Sequence, residues 1–76
     1  MSKQVDLEKI KQLRKSADIA IGDMAEKLGY KSPNGYFYLE RGISQFTAVM
    51  LADVAEMFDV PIEELFVNEE YESTNK

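Results

Sequence analysis

The side chains that could carry out chemistry are few, and they lack the arrangement of a catalytic or metal site. The chain has no cysteine and no histidine, which removes thiolate chemistry, the commonest metal ligand and the commonest general base. One group of carboxylates lacks the ligand spacing of a calcium loop and is interpreted as solvated surface. It comprises Glu63, Glu64, Glu69, Glu70 and Glu72. We therefore expect no enzyme activity, no metal, no cofactor and no small-molecule substrate.

Charge is divided unevenly along the chain, which bears on whether it binds nucleic acid. The formal net charge is −5, whereas DNA affinity comes largely from Lys and Arg side chains that neutralise phosphates. Residues 1–41 nevertheless hold eight basic and six acidic side chains, and residues 42–76 hold one basic and eight acidic ones. The first half could face DNA with the acidic half turned away, or the acidic residues could simply keep a small protein soluble.

Apolar residues recur at spacings of three and four, which predicts four amphipathic helices within one compact domain. Asp6, Ser32 and Thr47 are expected to cap the first, third and fourth helices, and Gly29 and Gly42 to end the second and third. The expected inward residues are Leu7, Ile10, Leu13 and Ala17; Ile21, Met24, Ala25 and Leu28; Tyr36 and Leu39; and Leu51, Val54, Ala55 and Phe58.

Pro61 is expected to start a short fifth helix, with Ile62, Leu65 and Phe66 facing inward. No stretch alternates with a period of two for long enough to predict a strand, and the N-terminus lacks the apolar segment of a signal peptide or a membrane span. The sequence thus predicts an all-α fold, a compact five-helix bundle over residues 1–67 with a polar tail over residues 68–76. A cytoplasmic location is expected.

The second and third predicted helices are the most specific feature of the sequence. A short helix, a turn that contains Gly29 and a helix capped by Ser32 form a helix-turn-helix arrangement. The small side chain of Ala25 would let the two helices pack closely. The third helix, over about residues 32–41, could then project into the major groove of DNA, which is about 12 Å wide.

Three segments resemble the Cro and lambda-repressor-like helix-turn-helix domains, often called the XRE family. They are IKQLRKSADIAIGDMAEKLGY, YLERG and LADVAEMFDVPIEELF, and the resemblance extends from Leu7 to Phe66. It implies a five-helix bundle whose third helix contacts double-stranded DNA, as a homodimer on a palindromic operator, in a transcriptional regulator of the repressor kind. It also implies that Glu40 holds the third helix to the first, where Arg14 is its expected partner.

The resemblance also places the expected DNA contacts. Asn34, Phe37 and Tyr38 fall on base-contact positions, where the Asn34 amide suits adenine, Tyr38 can donate one hydrogen bond and Phe37 can pack on a thymine methyl. The expected DNA backbone contacts are Lys31, Ser32, Ser44 and Gln45.

The sequence departs from the family pattern at three places and so leaves an alternative function open. Ala20 and Ile21 replace the Ser or Thr and the Gln that hold a phosphate in the family, and the turn is one residue longer near Lys31. The loop of residues 43–45 also lacks the basic residues expected for contact with the DNA backbone. Phe37 and Tyr38 are adjacent, so a helix cannot turn both inward, and an exposed aromatic side chain needs a partner. The alternative is a protein-binding module or antirepressor that uses these two aromatic residues as contacts.

Apolar residues at the C-terminal end predict a homodimer interface. Phe66, Val67 and Tyr71 are its expected residues, and Met50 and Met57 lie off the inward face of the fourth helix. The alternative is that such side chains close over the core of their own chain. Because the nearby glutamates would repel their copies, a dimer should be weak and should tighten as salt screens that repulsion.

Overall fold

The computed structural model describes residues 3–68 of the chain, which form four α-helices and a small sheet. The elements in chain order are β1 (Lys3–Val5), α1 (Leu7–Ser16), α2 (Ile21–Lys27), α3 (Pro33–Arg41), α4 (Ala48–Phe58), a 3-10 turn (Ile62–Leu65) and β2 (Phe66–Asn68). The first four predicted helices are confirmed.

Two helices begin at the side-chain caps that the sequence predicts. The Asp6 carboxylate accepts a hydrogen bond from the Lys9 backbone N–H at 3.0 Å. Thr47 Oγ1 accepts one from the Met50 backbone N–H at 3.1 Å. Each cap satisfies one of the backbone donors that a helix N-terminus leaves without a partner, so α1 and α4 start where local chemistry favours them.

Helix α3 begins and ends where the sequence predicts, but only its C-terminal end is stabilised in the predicted way. Gly42 ends the helix with a φ of 81°, a left-handed conformation that glycine adopts without strain. Ser32 occupies the position before the helix, but its side chain makes no capping hydrogen bond. Its predicted role as a side-chain cap is therefore wrong, and Pro33, whose ring fixes φ, supports the first turn.

The core lies between the helices and the 3-10 turn. Its buried hydrophobic residues are Ile10, Met24, Ala25, Tyr36, Leu39, Leu51, Val54, Ala55 and Leu65. All nine were expected to face inward from the spacing of apolar residues. Ala17 was also expected there but is exposed, because α1 ends at Ser16 and Ala17 lies in the following turn.

The predicted fifth helix is wrong, and so is the expectation that the chain holds no strand. Residues Ile62–Leu65 form a single 3-10 turn, and the chain then extends into β2, which pairs antiparallel with β1. Val5 lies opposite Phe66, and Gln4 lies opposite Val67. Leu65 is buried as predicted, whereas Ile62 is 36% exposed.

The pairing of residues 66–68 with residues 3–5 explains why the segment after Leu65 does not continue as a helix. The Asp6 backbone N–H donates to the Leu65 carbonyl at 2.7 Å, which joins the start of α1 to the end of the 3-10 turn. A helix of one or two turns leaves most of its backbone groups without partners, whereas the antiparallel ladder supplies them. Aromatic and β-branched residues, here Phe66 and Val67, also favour extended structure.

Candidate nucleic-acid interface

The helix-turn-helix pair predicted from the sequence is present as α2 and α3. The turn between them covers residues 28–32, and the Tyr30 backbone N–H donates to the Ala25 carbonyl at 2.8 Å. Gly29 has a φ of 89°, as its predicted place after α2 requires. Ala25 is 2% exposed, so a small side chain sits where the two helices pack together. This geometry holds α3 at a fixed angle to α2.

One face of α3 is buried and the opposite face is open to a ligand. Tyr36 and Leu39 are completely buried. The outward row consists of Asn34, Phe37, Tyr38 and Arg41, which are all exposed except the half-buried Phe37. These positions are separated by three, four and seven residues, so they lie along one side of the helix. We call these four residues the α3 outer row.

Three of the four residues in the α3 outer row were expected from the sequence, and Arg41 was missed. Its signal was its spacing, since Arg41 lies seven residues after Asn34 and four after Phe37. The Arg41 guanidinium carbon lies 5.3 Å from the centroid of the Phe37 ring, a cation–π distance. The Phe37 and Tyr38 ring centroids are 5.9 Å apart. The contact with the Phe37 ring restrains the Arg41 guanidinium, which can bind guanine in a bidentate manner or pair with a phosphate.

The expected backbone contacts lie at the two ends of α3. Lys31 and Ser32 are exposed in the turn that leads into the helix, and Ser44 and Gln45 are exposed in the loop that follows it. The Ser44 backbone N–H already donates to the Tyr38 carbonyl at 3.2 Å, so only its side chain is available to a phosphate. The structure thus places polar side chains on both flanks of the α3 outer row.

A buried polar network ties α3 to α1. The expected Arg14–Glu40 pair is confirmed, since Arg14 Nε donates to Glu40 Oε2 at 2.7 Å and its Nη2 donates to Glu40 Oε1 at 3.2 Å. Arg14 Nη1 donates to the Ile19 carbonyl at 2.9 Å, and the Tyr36 hydroxyl donates to Glu40 Oε2 at 2.7 Å. The family resemblance implied the ion pair but not the hydroxyl bond, although Tyr36 lies four residues before Glu40 on the same helix.

The network changes the acidity of its members. Burial alone would raise the pKa of Glu40, but hydrogen bonds from Arg14 and Tyr36 outweigh it and hold that pKa below its ordinary value. The hydrogen bond to Glu40 raises the pKa of Arg14. Burial, together with the hydrogen bond to Glu40, raises the pKa of Tyr36 well above its ordinary value. Glu40 therefore stays ionised and Tyr36 stays neutral across the neutral pH range.

The acidic half of the sequence carries its charge on α4 and on the segments after it. Between residues 42 and 68 there are five carboxylates and no basic side chain. They are Asp53, Glu56, Asp59, Glu63 and Glu64, and all five are exposed. Within the part of the chain that the structure describes, no three such side chains cluster as metal ligands do.

The expected dimer residues are only partly described. Phe66 and Val67 are half-buried in β2, and Tyr71 lies outside the described residues. Phe66, Met50 and Met57 pack against the core of their own chain. These three side chains therefore close over the core of their own chain, which was the alternative to a dimer interface. Val67 is then the one described interface candidate that is not part of the core packing.

Comparison with known proteins identifies the family. Among residues 3–68, no helix has the length and apolar character needed to cross a bilayer. No curated protein and no solved structure matches the sequence significantly. A family model described as helix-turn-helix matches residues 10–65, a span that includes all four helices except the first turn of α1. The chain therefore belongs to the XRE-type helix-turn-helix family of DNA-binding transcription regulators.

Proposed function

We propose that the protein binds a specific operator by inserting α3 into the major groove, and that it represses transcription by occupying promoter DNA. The observation that carries this proposal is the α3 outer row, an open face with an amide, two aromatic rings and a guanidinium on a helix whose other face is buried. Side chains on such a face contact base edges in helix-turn-helix proteins.

Each residue of the α3 outer row has a distinct role in the proposed complex. Asn34, in the first turn, forms two hydrogen bonds with adenine, and Phe37 packs on a thymine methyl. Tyr38 donates a hydrogen bond to a base acceptor. Arg41, oriented by the Phe37 ring, contacts guanine or a phosphate at the far end of the helix.

Contacts to the DNA backbone set the register of the helix in the groove. Lys31 and Ser32 bind phosphate on one flank, and Ser44 and Gln45 bind phosphate on the other. Because few of these groups are cationic, affinity depends more on base contacts than it does in a strongly basic domain.

The experiment that tests the proposal is selection of duplexes from a random library, followed by fluorescence anisotropy with the selected duplex and with random DNA. DNA from around the protein's own gene is the natural second probe. Asn34→Ala and Tyr38→Ala should each weaken binding to the selected duplex by about 1–3 kcal/mol, because each removes a base contact. Gln12→Ala, which removes an exposed amide from α1, is the matched control and should bind as the wild type does. Equal affinity of Asn34→Ala and the wild type would contradict the base-contact assignment.

We also propose that the protein binds a palindromic operator as a two-fold homodimer. One domain of this size offers a single recognition helix, and specific binding at physiological salt rarely rests on so few contacts. The proposed interface comprises Val67 and Tyr71, together with the part of the half-buried Phe66 that its own core leaves accessible. Glu63 and Glu64 lie beside it and are exposed, so the dimer should be weak and should tighten as salt rises. Sedimentation equilibrium at low and high salt tests this, and a strict monomer with and without operator would refute it.

A second candidate function is protein binding, in which the fold acts as an antirepressor or as a partner of another regulator. It is favoured by exposed apolar side chains in α3, in the loop that follows it and in the first turn of α4. Tyr38 is 41% exposed, Ile43 68% and Val49 71%. Failure to select any duplex over random DNA would favour this function over operator binding.

A further inference from the structure

The turn between α2 and α3 contains an aromatic side chain that contacts both α3 and α4. Tyr30 lies in the middle of this turn and is half-buried against the core. Its hydroxyl contacts Met50 Sδ of α4 at 3.9 Å. Its ring lies against Gly35 in the first turn of α3, where an added Cβ would come within 2.8 Å of Tyr30 Cε1 and closer still to Cδ1 and Cγ.

Close approach of this ring is the structural reason for a glycine at position 35. Glycine is a poor helix former, yet Gly35 lies inside α3. The glycines with positive φ are Gly29 and Gly42, so the conformation of Gly35 does not require glycine. Gly22, in the first turn of α2, offers a contrast, because a Cβ there would meet only Pro33 Cγ at 3.8 Å, an ordinary contact.

We propose that Tyr30 is a positioning residue for DNA recognition. Its ring packs against Gly35 and thereby determines the position of the first turn of α3 relative to α4. This inference rests on the proposed operator binding. Asn34 is the neighbour of Gly35, so any displacement of this turn moves the amide that would contact adenine. A bidentate contact tolerates a shift of only about 0.5 Å, and the contact between the ring and the helix backbone supplies that accuracy.

The test compares Gly35→Ala with the matched control Gly22→Ala, which places the same methyl group in the first turn of the neighbouring helix. Circular dichroism establishes folding, and anisotropy gives the affinity for the selected duplex and for random DNA. Gly35→Ala should lose at least about tenfold in affinity for the selected duplex and keep its affinity for random DNA, because the methyl group displaces the ring and the turn. Gly22→Ala should stay within about twofold of the wild type.

Substitution of Tyr30 completes a double-mutant cycle with Gly35→Ala, and it keeps the inference testable if Gly35→Ala does not fold. Tyr30→Ala should also lose selectivity, whereas Tyr30→Phe, which keeps the ring, should retain it. Adding Gly35→Ala to Tyr30→Ala should cause little further loss, because no ring remains to clash with the methyl group.

The outcomes separate this inference from the function on which it rests. A wild-type protein without selectivity overturns the proposed operator binding, and this inference with it. A selective wild type whose selectivity survives Gly35→Ala or Tyr30→Ala overturns the inference alone. A Gly35→Ala loss that is equally large in the Tyr30→Ala background also overturns it, since the ring would then not be the cause.

Discussion

Glu40 is the residue whose replacement should test the α1–α3 attachment most severely. Glu40→Leu removes the acceptor of two Arg14 hydrogen bonds and of the Tyr36 hydroxyl bond. Arg14 is 8% exposed, so its Nε and Nη2 donors would be left with little access to water, while Nη1 keeps the Ile19 carbonyl. Breaking a buried ion pair in this way costs about 3–5 kcal/mol, and an unsatisfied hydroxyl costs about 1–3 kcal/mol.

The expected loss is large beside the stability of so small a domain. A chain of 76 residues has a free energy of unfolding of about 4–11 kcal/mol. The leucine side chain regains part of the lost packing, so we expect a net destabilisation of about 3–5 kcal/mol. Urea unfolding followed by far-UV circular dichroism measures it. Glu56→Leu, at an exposed carboxylate of α4, is the control and should change stability by no more than about 0.5 kcal/mol.

A triple variant distinguishes the loss of the Arg14–Glu40 attraction from the cost of leaving Arg14 and Tyr36 buried without a hydrogen-bond acceptor. Arg14→Met, Tyr36→Phe and Glu40→Leu together remove both charges and the hydroxyl of the network, so that only the Ile19 carbonyl loses a hydrogen bond, the one from Arg14 Nη1. Replacement of a whole buried ion pair by apolar residues is often neutral, so this variant should recover to within about 2 kcal/mol of the wild type. A Glu40→Leu loss below about 1 kcal/mol, or a triple variant no more stable than the single one, would refute the reasoning.

Three further predictions follow from burial, charge and ionisation. Leu51→Ala should destabilise the domain by about 2–5 kcal/mol because Leu51 is 5% exposed. Thermal unfolding measures this, and the control Val49→Ala, at a 71% exposed position, should have a melting temperature close to that of the wild type. An unchanged melting temperature for Leu51→Ala would contradict the register of α4. Lys31→Ala should weaken binding to selected and random DNA alike and lower the slope of log affinity against log salt by about 1, and an unchanged slope would exclude phosphate contact by Lys31. The pKa of Glu40 is lowered, so its contribution to stability is complete above its ordinary value of 4.5 and is lost as the pH falls below it. The pKa of Tyr36 is raised, so its contribution is complete below about pH 10 and is lost as the pH rises from there; Tyr36→Phe should abolish this alkaline loss in urea titrations.

The helices and much of the core could be predicted from the sequence because their signals are local. Asp6 and Thr47 cap helices through backbone groups only three residues away, and Gly42 ends α3 through its own backbone conformation. The inward faces follow from a spacing of three and four residues, which any amphipathic helix must show. The family resemblance placed Asn34 and Tyr38 on the outward face of α3, and the spacing of three and four residues would have added Arg41.

What the sequence alone did not determine depends on contacts that form only when the chain has folded. Residues 66–68 have enough apolar character for a helix or a strand. They form a strand because they pair with residues 3–5, at the other end of the described chain. Gly35 carries no sign in the sequence that an aromatic ring lies on it, because Tyr30 reaches it only once the turn has folded. Hydrogen bonding across 26 residues likewise joins Arg14 to Glu40, a pair expected only from the family resemblance. Local patterns determine where helices begin and which face is apolar, whereas backbone pairing and close side-chain contacts exist only after distant segments meet, so the tertiary structure alone decides them.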